Sequence, residues 1–297
     1  MFKGSFVAIV TPFSRKGSSS GSKSLKVDEK KFAELVEFQI KNGTDGIVPA
    51  GCTGEAATFT HDQQKRLMDL TVEIVDRRII VIAGAGSNNT DEAIALTRHA
   101  KKAGCDGVLS ITPYYNKPTP EGQYRHYREI AKSADIPIMI YNVPSRTGIS
   151  MKPETVARLS HIDTIVAIKE ASGSLDQVSQ ILSLCNITVL SGDDSLTLPM
   201  MSVGARGVVS VVANIIPKEV REMVAYFLDG DIERAKKLHY KILPLSKAMF
   251  IETNPIPVKT AMRLMRVING KLKLPLCEME KENETKLKKA LKDYGLL

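Results

Sequence analysis

The chain has 297 residues, of which 43% are hydrophobic and 25% charged, while 5% are aromatic and none is tryptophan. The apolar fraction suffices for a buried core, which excludes a disordered chain and a collagen-like repeat. The net charge is +8, but the lysines near both ends alternate with acidic residues, so this charge indicates solvated helices and not a nucleic-acid surface.

The first apolar run, MFKGSFVAIVTPF, reaches Pro12 without a small-residue cleavage site and predicts a first strand, not a signal peptide. No apolar run approaches the roughly 18 residues that cross a bilayer. The cysteines at positions 52, 105, 185 and 277 lack the paired spacing of a zinc site or a disulfide scaffold. We therefore expect a cytoplasmic protein with no membrane partner and no metal.

Short apolar runs rich in β-branched residues alternate with segments of helical periodicity along the chain. This alternation predicts an α/β fold with a parallel sheet buried on both faces. Eight such runs favour a closed (β/α)8 TIM barrel over an open sheet. The predicted strands are 6–10, 46–49, 79–83, 107–111, 137–141, 165–169, 188–191 and 207–211.

One pattern recurs at 42–48, 103–109 and 203–209, where a first glycine is followed three residues later by a second. The first glycine suits the left-handed end of a helix, and the second opens the next strand. The barrel is predicted to occupy residues 1–230, followed by a C-terminal helical domain at 231–297. The Ser- and Gly-rich segment 14–26 is predicted to be a flexible surface loop.

Functional side chains of a barrel gather at the C-terminal ends of its strands. After the second strand, the Gly-flanked turn around Thr53 either offers amides and hydroxyls to a carboxylate or phosphate, or is a tight turn that Thr53 caps. Lys169 closes the sixth strand. Burial there would leave a free amine able to form a Schiff base with a ketone; the alternative is a lysine that reaches solvent from the rim.

Tyrosines and an arginine follow the fourth and fifth strands. Tyr141 is a candidate for proton transfer or a rim aromatic, and Arg146 is a candidate for binding a carboxylate or a member of a surface ion pair. Of Tyr114 and Tyr115, one is expected to reach a neighbouring subunit, unless they form a lid. The histidines have no ligand spacing, and the segment at 84–89 lacks the third glycine of a dinucleotide-binding motif.

Six motifs follow one another along the chain in the order GCTGE, TPYYN, YNVPSRTG, IKEASG, LSGDD and NPIPVK. Together they resemble the dihydrodipicolinate synthase family of pyruvate-dependent class I aldolases. The resemblance covers essentially the whole chain, with only 14–26 longer than usual. It implies a lyase of lysine and diaminopimelate biosynthesis that needs neither metal nor organic cofactor and condenses pyruvate with L-aspartate 4-semialdehyde.

The resemblance also implies roles for individual residues. Lys169 would form the Schiff base with pyruvate, and Tyr141 would relay protons, assisted by Tyr115 from the partner subunit of a homotetramer built from two tight dimers. Cys52 stands where the family has a second hydroxyl residue of this relay. Arg146 would bind the incoming carboxylate. The remaining substrate-binding residues would be Thr53, which would bind the pyruvate carboxylate, Gly192 and Val209.

Two alternatives and a regulatory site accompany this interpretation. N-acetylneuraminate lyase and keto-deoxy sugar acid aldolases share the lysine and the tyrosine but usually lack Arg146, and a non-catalytic barrel that binds small acids is the more distant alternative. In family members that respond to lysine, the effector binds at the dimer interface. We expect weak or moderate inhibition, because Ala56 and Gln64 replace a serine and a histidine. The corresponding pocket would contain Ala57, His61, Asn88, Glu92 and Tyr114.

Overall fold

The structure is a computed structural model that describes residues 2–14 and 25–297. Within these residues, eight parallel strands close into a barrel in which β1 pairs with both β2 and β8. The strands are β1 (Gly4–Ala8), β2 (Gly46–Val48), β3 (Ile80–Gly84), β4 (Gly107–Ile111), β5 (Ile138–Asn142), β6 (Ile165–Glu170), β7 (Thr188–Ser191) and β8 (Gly207–Ser210).

A helix follows each strand and packs on the outside of the barrel, which confirms the predicted (β/α)8 architecture. A single helical turn, Pro144–Thr147, also follows β5. The helices are α1 (Glu29–Lys41), α2 (His61–Val75), α3 (Thr90–Ala103), α4 (Pro120–Ser133), α5 (Pro153–Leu159), α6 (Leu175–Leu184), α7 (Thr197–Ser202) and α8 (Pro217–Leu228).

The observed strand bounds differ from the predicted ones by at most two residues. The strands β4 and β7 begin and end where the sequence predicts them. The largest shift is in β1, which was expected at 6–10 and ends at Ala8. The apolar run continues, but the backbone amide of Val10 donates to the side chain of Asn214 at 3.0 Å. A side-chain partner therefore replaces the strand ladder before the apolar pattern ends.

The repeated glycine pattern forms the predicted helix-to-strand turn in all three copies. Gly43, Gly104 and Gly204 have φ angles of 78°, 91° and 116°, which favour glycine. The second glycine of each copy begins β2, β4 or β8. At Gly46, a Cβ atom would lie 2.5 Å from the ring of Phe6, so close packing inside the barrel explains this glycine.

Two apolar layers form the core, one inside the barrel and one between the strands and the helices. The interior layer contains Phe6, Val48, Tyr141 and Val209, among other residues. Side chains alternate between the two layers along β6, where Ala167 faces the interior and Ile168 the outer layer. This alternation directs the next side chain, that of Lys169, into the barrel.

Three helices follow the barrel: α9 (Ile232–Ala248), α10 (Ile256–Leu264) and α11 (Lys281–Tyr294). Helix α9 packs on α8, and α11 packs on both α9 and α10. We propose that the domain boundary lies after Gly230, which has a φ of 82° and separates α8 from α9. In the described residues, no helix combines the length and the apolar character needed to cross a bilayer.

The predicted loop at 14–26 lies largely outside the described residues, because 15–24 are not among them. Its two ends pair as short antiparallel strands, Phe13–Ser14 and Lys26–Val27. Helix α1 begins immediately afterwards, with the side chain of Asp28 accepting a hydrogen bond from the amide of Lys31.

Candidate active site

A cavity of about 820 Å³ opens at the carboxyl ends of the barrel strands. Its walls come from the turn after β2, the ends of β5 to β8, and the segment 250–254 that precedes α10. A second cavity, of about 690 Å³, lies at the opposite end of the barrel beside Arg77 and Arg78. Among the described residues that line the second cavity there is no lysine, cysteine or histidine, so the first cavity is the candidate site.

Lys169 lies in the wall of this cavity and is only 5% exposed, which contradicts the alternative of a lysine that reaches solvent. Its neighbours in the ladder are Tyr141 on β5 and Leu190 on β7, both in the interior layer. Burial lowers the pKa of the Lys169 ammonium to about 8, while Cys52 and Asp194 act in the opposite sense. The structure therefore holds an amine that loses its proton far more readily than an exposed lysine does.

Gly192, at the end of β7, gives the lysine side chain its space. A Cβ atom on this residue would lie 3.0 Å from Cε of Lys169 and 2.6 Å from Cβ of Ala171. Any larger side chain would displace the lysine, so the close packing of Lys169 against this position explains the glycine.

Tyr141 faces the lysine from the neighbouring strand, with the lysine Nζ 4.3 Å from the centre of its ring. Burial raises the pKa of the Tyr141 phenol well above its usual range, and Arg146 opposes this shift. The thiol of Cys52 also raises the pKa of the phenol. The phenol is therefore neutral at ordinary pH and can donate a proton, with the thiol as its partner.

The turn after β2 is joined to Arg146 through one residue of the C-terminal segment. The side-chain amide of Asn254 donates to the hydroxyl of Thr53 at 2.9 Å. Nη2 of Arg146 donates to the backbone carbonyl of the same asparagine at 2.7 Å. The alternative in which Thr53 caps a helix is wrong, because α2 begins at His61 and Thr60 is its N-cap. The interaction found for Arg146 is with this carbonyl and not a surface ion pair.

Three predicted site residues are not part of the cavity wall: Cys52, Tyr115 and Val209. Cys52 lies beside the wall residue Thr53 in the turn after β2. Tyr115 is 90% exposed and has a φ of 67°, an uncommon conformation for a bulky residue, so a single chain does not bring it to the cavity. Val209 is fully buried in the interior layer and is not part of the cavity wall.

The predicted effector residues are near one another on the surface. Nε2 of His61 lies 3.6 Å from the carboxylate of Glu92, which also accepts a hydrogen bond from Ser87 at 2.7 Å. Asn116 donates to the carbonyl of Asn88 at 2.9 Å and so links the loop of Tyr114 to this region. Ala57 is also exposed and lies shortly before His61 in the sequence.

Sequence reasoning gave no role to the segment 250–254, although it forms part of the cavity wall. Asn254 is 5% exposed and belongs to the NPIPVK motif. The sequence therefore showed the motif but not the residues that Asn254 contacts. Asp193 and Ser145 also line the cavity and were not predicted. Asn254 and Thr53 are 201 positions apart, a separation at which local patterns carry no information.

Fold and site define a (β/α)8-barrel enzyme with a buried lysine at the carboxyl ends of its strands. The model of the Dihydrodipicolinate synthetase family matches residues 1–294. The chain belongs to this family and is a lyase, as the sequence predicted. Similar proteins are 4-hydroxy-tetrahydrodipicolinate synthases from Geobacter sulfurreducens (56% identical) and Thermodesulfovibrio yellowstonii (54%), each covering 100% of both chains. A solved dihydrodipicolinate synthase is 51% identical, with a TM-score of 0.95 and 100% of both chains covered.

Proposed function

We propose that the chain condenses pyruvate with L-aspartate 4-semialdehyde to give 4-hydroxy-tetrahydrodipicolinate, the first committed step of lysine and diaminopimelate biosynthesis. The observation that carries the proposal is the buried amine of Lys169 in the wall of the cavity, with its pKa lowered to about 8. The names of the full-length relatives support the same activity and do not favour N-acetylneuraminate lyase or a sugar-acid aldolase.

The first half of the reaction uses pyruvate alone. The neutral amine of Lys169 attacks the ketone carbon, and loss of water gives the imine. Tyr141, protonated because burial raises its pKa, donates a proton to the departing oxygen, and Cys52 exchanges protons with the phenol. The imine then draws electrons from the methyl group, which loses a proton to give an enamine. Thr53 and the amides of its turn hold the pyruvate carboxylate.

The second half joins the two substrates. The enamine carbon attacks the aldehyde carbon of the semialdehyde, and the aldehyde oxygen takes up a proton. The substrate amine then attacks the imine carbon, closes the ring and displaces Lys169. Arg146, at the mouth of the cavity, binds the carboxylate of the semialdehyde with two parallel hydrogen bonds. The protonated imine serves as the electron sink, so the reaction calls for no metal or organic cofactor.

A second copy of the chain is the proposed source of Tyr115. The residue is 90% exposed in a left-handed conformation, and an exposed tyrosine held in this way is explained by a contact with another subunit. We place it in a cytoplasmic homotetramer of two tight dimers, in which Tyr115 completes the proton relay of the neighbouring site. Gly192 contributes to substrate binding from the cavity wall, whereas Val209, fully buried in the interior layer, does not line the cavity.

The decisive experiment is reductive trapping. Incubation with pyruvate and borohydride is expected to add one reduced adduct per chain, and peptide mass spectrometry is expected to locate it on Lys169. The variant Lys169→Met serves as the control and is expected to give no adduct. An adduct on another residue, or cleavage of N-acetylneuraminate faster than condensation of the semialdehyde, would overturn the proposal.

A further inference from the structure

An ion pair is buried behind the turn that carries Cys52 and Thr53. Oε1 of Glu55 lies 2.6 Å from Nζ of Lys259, and both side chains are fully buried. Glu55 ends the turn after β2, and Lys259 lies on α10, 204 positions further along the chain. Because removing two charges from water is costly, such a pair persists only where additional hydrogen bonds satisfy both groups.

Those additional hydrogen bonds are present on both sides of the pair. Nζ of Lys259 donates to the carbonyl of Thr11 at 2.9 Å, and Oε2 of Glu55 accepts from the backbone amide of Lys273 at 3.0 Å. The hydroxyl of Thr11 in turn donates to the carbonyl of Gly54 at 2.8 Å. The end of the turn is thus attached to the loop after β1, to α10 and to the segment before α11.

The backbone of the turn needs this support. Glu55 has a φ of 61°. Residues other than glycine adopt this backbone conformation only where the surroundings compensate for its energetic cost. The C-terminal segment contacts the same turn a second time, through the hydrogen bond from Asn254 to Thr53. Asn254 lies two residues before the first residue of α10, so the turn is fixed at two points, once from this short helix and once from the segment just before it.

We propose that Glu55 and Lys259 are positioning residues, which hold the 51–55 turn so that Thr53 and Cys52 face pyruvate at Lys169. The inference rests on the proposed function, since it concerns the binding of pyruvate in that reaction. Neither residue touches the substrate. A pair that served stability alone would be replaceable by uncharged side chains without any change in pyruvate binding.

The test compares Lys259→Met, Glu55→Gln and the double variant with the wild-type enzyme. We expect Lys259→Met to raise the KM for pyruvate and slow formation of the Lys169 adduct by about tenfold to a hundredfold, because a displaced binding group costs this much. Glu55→Gln keeps the size and the hydrogen-bonding oxygen of Glu55, so its defect should be smaller. The double variant leaves no unpaired buried charge and is expected to recover melting temperature but not the KM.

The matched control is Arg263→Met, on the same helix. Arg263 pairs with Glu284 at 2.7 Å and joins α10 to α11 without contacting the turn. Its loss should leave the KM for pyruvate unchanged. A double variant with a wild-type KM would overturn the inference, and Glu55→Gln with a wild-type KM would do so if the other variants do not fold. Absence of an adduct in the wild-type enzyme would overturn the proposed function itself, and this inference with it.

Discussion

The lowered pKa of Lys169 makes the rate of imine formation depend on pH in a way that can be calculated. Only the neutral amine attacks a ketone, so removal of the proton activates the enzyme. Burial brings the pKa from 10.5 to about 8. At pH 7 about one tenth of the amine is neutral with the lowered pKa, against about one part in 3,000 for an exposed lysine.

Two features of the rate profile follow. The rate of adduct formation is expected to rise about tenfold per pH unit below pH 7 and to level off above about pH 8. The phenol of Tyr141 imposes no fall in this range, because burial raises its pKa well above 10.0. The profile should therefore be a rise followed by a plateau, and not a bell.

The assay is a time course of pyruvate addition, quenched with borohydride at each pH and constant ionic strength, with adducts located by peptide mass spectrometry. Lys259 provides an internal control, because burial also lowers its pKa to about 8 while Glu55 opposes the shift. It is fully buried outside the cavity and should remain unmodified. A rate that rises without a plateau to about pH 10, or an adduct on Lys259, would refute the reasoning.

Three further predictions concern Arg146, Cys52 and the lysine-effector site at Glu92. Arg146→Ala should lower kcat/KM for the semialdehyde by about two orders of magnitude and leave pyruvate adduct formation nearly unchanged; equal losses in both would contradict its role. Cys52→Thr should keep or raise turnover, whereas Cys52→Val should lower it about tenfold to a thousandfold, and a fully active valine variant would show that the thiol only packs the turn. Calorimetry should detect weak lysine binding that Glu92→Gln abolishes, and absence of heat at about millimolar lysine would exclude the effector site.

Local sequence patterns were sufficient to predict the barrel. Apolar runs and the repeated glycine pair reflect constraints that act within a few residues, namely burial on both strand faces and the left-handed conformation at Gly43. Lys169 was found because an amine at the end of an apolar strand conflicts with its surroundings unless it is used. The exposure of only 5% agrees with that reasoning.

Contacts between distant segments were beyond the same reasoning. The carbonyl of Asn254 accepts a hydrogen bond from Arg146, 108 positions away in the sequence. Only the path of the backbone brings this carbonyl to Arg146, so the residue type at position 254 does not predict the contact. The early end of β1 likewise depends on Asn214, 204 positions away from Val10.

The hydrogen bond between Lys259 and Thr11 joins residues 248 positions apart, and β1 completes the barrel only by pairing with β8. During synthesis, the chain emerges from the ribosome with its N-terminal strand and the 51–55 turn long before α10 exists. A nascent chain therefore carries Lys169 for some time without a finished pyruvate site. Contacts of such long range also slow folding, because the intervening loop must close before they form. Competence for chemistry is thus acquired late, only after α10 has been made.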